Sequence, residues 1–175
     1  MKKYIHILIA LFGFTLFSSD CFGQNIAGLP YGTPYEEAYK FLKKKFGKPR
    51  FTEGKEMIGF SNAKDGDISF MFANFYFSEN KGVSIFNKAS FLSNYENYEN
   101  AFELYSKICQ ILKDTYKDGR IDFQTEGMGD QFFMQCEFGT HPTNPKLYLG
   151  KIRLHRGKNQ EGKKYYYVNL NFNKL

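Results

Sequence analysis

Two stretches of this 175-residue chain place apolar residues at helical spacing, and seven others alternate apolar with polar positions as β-strands do. The first helical stretch opens at Gly32-Thr33-Pro34-Tyr35-Glu36. There Thr33 is placed to cap, Pro34 suits the first helical position, and Glu36 completes a capping box. Ala38, Leu42 and Phe46 then share one stripe, and Gly47 and Pro49 end it. The second stretch opens between Ser93 and Asn97, carries Tyr98, Phe102, Tyr105, Cys109, Leu112 and Tyr116 on one side, and stops at Gly119.

After the first helix come strand patterns at residues 56–61, 67–77 and 83–92. The turns between them at Asp65-Gly66 and Lys81-Gly82 offer the positive φ of tight hairpins. After the second come 121–126, 131–138, 147–156 and 164–172, with Gly127-Met128-Gly129-Asp130 reading as a hairpin turn. The pattern predicts an α+β fold of two tandem units, αβββ then αββββ, with a mostly antiparallel sheet and both helices on one face. Tyr35-Glu36-Glu37-Ala38-Tyr39 and Tyr98-Glu99-Asn100-Ala101-Phe102 suggest an internal repeat over about 28–92 and 93–175. No linker rich in Pro, Gly or Ser divides the halves, so one domain is expected.

The start of the chain stands apart. Met1-Lys2-Lys3, an apolar run from Ile5 to Phe17, and a polar stretch ending at Cys21-Phe22-Gly23 have the form of a secretory signal peptide over residues 1–23. The run is shorter than the roughly 20 apolar residues of an uncut membrane anchor. The expected product is residues 24–175, exported to the periplasm or beyond the cell, with no transmembrane anchor. Lipidation at Cys21 is the competing reading, against which stands Asp20 where small residues usually precede such a cysteine.

Composition adds limits more than chemistry. An aromatic share of 19% excludes a disordered chain. The net charge of +6 is too modest to mark a nucleic-acid binder, and Lys43-Lys44-Lys45 reads as a solvated run. With the leader removed, Cys109 and Cys136 remain, each on an apolar face of its element. They form either a disulfide from helix to sheet or two buried thiols packing as small hydrophobes. His141 and His155 have no partner at metal-ligand spacing. No Gly-x-Ser-x-Gly, His-Glu-x-x-His or phosphate-cradling loop occurs, so no catalytic residue, cofactor or metal is assigned.

The last two strands carry the candidate contact face. Pairing apolar side with apolar side sets Leu154 against Tyr166 and Ile152 against Val168. On the other side His155 then faces Tyr165, Arg153 faces Tyr167, and Lys151 faces Asn169. Lys151, Arg153, His155, Tyr165 and Tyr167 together offer cations and rings that suit an acidic or sugar-like partner. The plainer reading is a solvated face whose cross-strand pairs only stabilise the sheet.

The run from Gly28-Leu29-Pro30-Tyr31-Gly32-Thr33-Pro34 through Leu42 to Phe46-Gly47-Lys48-Pro49 resembles the opening of small exported αβ modules. These are the outer-membrane assembly lipoprotein domain of the SmpA/OmlA type and the tandem-repeat beta-lactamase inhibitor protein type. The general form also resembles uncharacterised exported proteins of Gram-negative bacteria. The resemblance spans about 22 residues, lacks a Gly-x-Thr opening at the second helix, and implies non-catalytic protein binding. The expected function is therefore an exported binding module for a protein or glycan. The alternatives are an inhibitor or immunity protein that blocks one enzyme or toxin, and an uncharacterised hydrolase.

Overall fold

The computed structural model describes residues 25–115, 122–126, 133–141, 144–158 and 161–173, with side chains left out at 122–126, 133, 140–141 and 144–148. The leader, Cys21, Tyr116, Gly119 and the 127–130 turn lie outside the described residues. The elements in chain order are β1 (Asn25–Ile26), β2 (Leu29–Pro30), α1 (Tyr35–Phe46), β3 (Phe51–Glu53), β4 (Met57–Asp65), β5 (Ile68–Asn80) and β6 (Val83–Tyr95). After these come α2 (Tyr98–Thr115), β7 (Asp122–Glu126), β8 (Phe133–His141), β9 (Asn144–Lys158) and β10 (Lys164–Asn173). The fold is α+β.

β3 to β10 form one antiparallel sheet in the order β3-β4-β5-β6-β10-β9-β8-β7, so the strands that follow the two helices meet where β6 pairs with β10. Among the described residues each helix is followed by four strands, not three and four. The missed strand, β3, has three residues, all exposed, and so lacks the apolar alternation that marked the others. β8 runs three residues past the expected 131–138 strand to His141, with a shift of register between Thr140 and His141.

The helix starts also differ from expectation. Thr33 does not cap α1: its hydroxyl donates to the Pro30 carbonyl at 2.7 Å, and Tyr35 is the first helical residue. The cause is sheet-like pairing of the preceding segment. The Gly32 N–H donates to the Phe86 carbonyl, the Phe86 N–H donates to the Thr33 carbonyl, and Pro34 bridges Ile85. This pairing ties the Thr33 backbone to β6, and no side chain caps the orphan amides of the first turn. At the far end Gly47, with φ 86°, returns its N–H to the Lys43 carbonyl, a backbone shape that suits glycine. Ser93 belongs to β6, and α2 is capped by Asn97, whose Oδ1 accepts from the Asn100 N–H at 3.0 Å.

Both helices pack on the same side of the sheet. Ala38 and Leu42 of α1, with Ala101, Tyr105, Ile108, Cys109 and Leu112 of α2, join one core with Ile58, Phe60, Ala73, Phe75, Phe86, Phe91, Ile152, Leu154 and Val168. Phe102, expected on the buried stripe of α2, is exposed and stacks on Tyr98 instead. Rings fill the space under α1: Phe75 lies within 6 Å of Phe46, Phe60, Phe86 and Phe91. Such tilted and edge-on pairs add specific attraction to the burial itself.

Candidate contact face

Among the described residues, the opposite side of the sheet carries no helix. β9 and β10 cross its middle, and their faces alternate as expected. Ile152, Leu154, Val168 and Leu170 are buried toward the helices, while Lys151, Arg153, His155, Tyr165 and Tyr167 are half-buried on the open side. The pairing, however, is shifted by two residues from the sequence reading. Val168 faces Leu154, Leu170 faces Ile152, Tyr167 faces His155, Asn169 faces Arg153, Asn171 faces Lys151, and Tyr165 faces Gly157. A slide of two keeps every side chain on its face, so the apolar pattern cannot choose between these registers. Gly157 provides the physical reason for the choice. A Cβ there would lie 2.6 Å from the Tyr165 ring, so the missing side chain makes room for it.

The open side is held by its own contacts. The His155 imidazole lies 4.6 Å from the Tyr167 ring at an interplanar angle of 9°, and Tyr165 follows at 5.8 Å from Tyr167. Arg153 Nε donates to Gln135 Oε1, and Gln135 Nε2 donates to Glu137 Oε1 at 3.0 Å. Ser90 Oγ donates to Asn169 Oδ1 at 3.1 Å, which fixes β6 to β10 on this side. Farther along, Arg50 sits over the Phe72 ring and Lys88 over the Tyr76 ring. Asn74 Oδ1, on the strand next to β6, is buried without a hydrogen-bond partner among the described residues.

Two hollows flank these features. At one end of the open side a depression of about 700 Å³ is lined by Asn94, Glu96, Lys158, Lys163, Lys164 and Tyr165, with Lys163 bound to Glu96 at 2.8 Å. On the helix side a cleft of about 380 Å³ has Phe70, Phe91, Leu170 and Phe172 on its sheet side and Ile108, Ile111 and Leu112 of α2 as a wall. Lys107 Nζ donates to the Asp67 carbonyl at its rim. Sequence reading missed this cleft, since residues from six elements meet there only in the folded chain.

Burial holds His155 below the usual imidazole value, and the Arg153 guanidinium adds to the effect. Burial also raises the Tyr167 hydroxyl, with Tyr165 assisting and Arg153 opposing. His155 is therefore neutral at pH 7, stacked as an uncharged ring. The folded chain binds this proton less readily than the unfolded chain, whose histidine titrates near 6.5. The resulting stability is complete above about pH 6.5 and is lost as pH falls from there through the folded value. The expected result is a His155 NMR titration midpoint below 6.5, and a flatter stability–pH curve for His155→Gln over that window. A midpoint at or above 6.5 would contradict the burial argument.

Among the described residues, no group of three His, Cys, Asp or Glu side chains comes together to hold a metal ion. No helix among them is long and apolar enough to cross a membrane. Cys109 and Cys136 are both buried and both carry free thiols. No protein-family model, curated protein or solved structure matches this chain.

Proposed function

We propose that this chain is an exported, non-catalytic binding module whose open sheet face docks an acidic protein or glycan through β9 and β10. The observation that carries the reading is that both described helices pack on one side, so that among the described residues the middle of the other side of the eight-stranded sheet presents cations and tyrosine rings. Stacked rings and hydrogen-bonded Arg153 lose little freedom on binding, which favours affinity per contact. The lysines around the 700 Å³ depression extend the positive character to one end of the face. Export to the periplasm or cell surface rests on the leader-like residues 1–23, with lipidation at Cys21 the lesser alternative.

The sheet order supports descent from a duplicated unit. Each helix precedes a four-strand meander, and the two meanders meet through their last strands, β6 and β10. The narrower reading is an inhibitor or immunity protein for one enzyme or toxin. The prearranged Gln135–Arg153 and Ser90–Asn169 contacts favour it, because a rigid face suits one fixed partner.

The test is affinity capture from exported proteins and glycans, followed by binding measurements on the isolated partner. Lys151→Glu is expected to weaken binding by about fivefold, given one rim charge near 1 kcal/mol. Reversal of Lys44 on the helix side should leave it unchanged. Equal losses for both would place the contact elsewhere.

A further inference from the structure

We propose that Cys109 and Cys136 are a redox pair that closes to a disulfide joining α2 to β8. The inference concerns the core beneath the open face and does not depend on any partner binding there. Cys109 lies on the buried stripe of α2, and Cys136 lies on the helix-facing side of β8, aligned with Ile152 of β9. Each keeps at most 5% of its surface exposed. α2 packs across β9 and β10, which brings its stripe over this part of the sheet. Both thiols belong to the one core cluster between α2 and the sheet, near enough for each to act on the other's ionisation. Cys136 Sγ donates one long hydrogen bond, 3.9 Å, to the Glu137 carbonyl oxygen.

The surroundings favour sulfur chemistry between these two groups over exchange with solvent. Ile108, Leu112, Ile152 and Leu154 are buried around this part of the core. The Tyr105 hydroxyl is buried without a hydrogen bond of ordinary geometry and lies against Cys109. The hydrogen bond from Cys136 chiefly holds the Cys109 thiol below its usual range, with Tyr105 and Lys113 assisting. Cys109, 5% exposed against 0% for Cys136, is the thiol that an incoming disulfide reaches as the core closes.

With a small disulfide such as oxidised glutathione as oxidant, met while the chain folds and before this core closes, the Cys109 thiolate attacks one glutathione sulfur. The other glutathione leaves as a thiolate and takes up a proton. The Cys136 thiolate then attacks Cys109 Sγ in the mixed disulfide and releases the second glutathione. One S–S bond forms in the protein and one breaks in the oxidant, and two electrons and two protons pass to two glutathione thiols. The closed loop encloses the α2–β7 connection, β7 and the β7–β8 turn, so it constrains the sheet edge next to the open face.

The test uses the purified chain refolded in a glutathione redox buffer, then alkylated with N-ethylmaleimide in denaturant and mapped by mass spectrometry without reduction. The expected result is one peptide pair joined through Cys109 and Cys136, two hydrogens lighter than the free peptides, with neither cysteine labelled. Dithiothreitol should then lower Tm by about 5–10 °C. That redox-dependent shift should vanish in Cys109→Ala; should this variant not fold, the peptide map on the unaltered chain decides. Full labelling of both cysteines from the oxidising buffer would overturn the proposal. So would linkage of either one to Cys21 or to a second chain.

Discussion

Phe75→Ala is expected to destabilise the protein by about 3–5 kcal/mol, the cost of emptying a fully buried aromatic site that its neighbours cannot refill. Phe75 has no exposed surface and touches rings from both sides of the α1–sheet interface: Phe46 from the helix, Phe60, Phe86 and Phe91 from three strand positions. Four ring contacts vanish at once, and the strand backbone carrying them cannot collapse inward without breaking its ladders to β4 and β6. Urea unfolding followed by circular dichroism should show the midpoint falling sharply. Phe102→Ala, at a ring 39% exposed on α2, should move it by about 0.5 kcal/mol or less. Equal effects at the two sites would contradict the packing described.

Gly150→Ala is expected to cost about 3 kcal/mol for a different reason. A Cβ at Gly150 would stand 2.2 Å from the Asn171 carbonyl oxygen and 2.6 Å from the Phe138 ring. The ring could turn aside, but the carbonyl belongs to β10, which is paired on both sides, so backbone must move. Such overpacking sits at the upper end of its usual range. Gly162→Ala, in the β9–β10 connection with open space around it, meets only the strain of its positive φ of 77°. The difference in thermal midpoint between the two variants measures the clash apart from the loss of glycine freedom. A smaller loss at Gly150 than at Gly162 would show that β10 yields at this point.

Much of the fold could be read in the sequence because its signals are local. The stripe of Ala38 and Leu42, the alternation of Ile152 and Leu154, and the Lys81-Gly82 turn each follow from neighbouring residues alone. Strand order and register depend on distant pairs. Nothing near Ser90 announces Asn171 as its partner, and nothing near Lys151 announces Asn171 on its own hairpin. Thr33 failed as a cap for the same reason, since the carbonyl that takes its hydroxyl and the strand that takes its backbone outcompete the helix end. For the contact face, alternation identified which side chains point outward. The stack of His155 on Tyr167 and the Arg153–Gln135 bond needed the observed register and β8 beside it.

The most direct test of the binding role is the affinity of a partner isolated on the unaltered chain, measured again with Arg153→Ala and Tyr167→Ala combined. Circular dichroism would confirm that the variant is folded. Two central contacts of about 2 kcal/mol each predict a loss of about 1000-fold. Unchanged affinity in a folded double variant would contradict the role assigned to the open face.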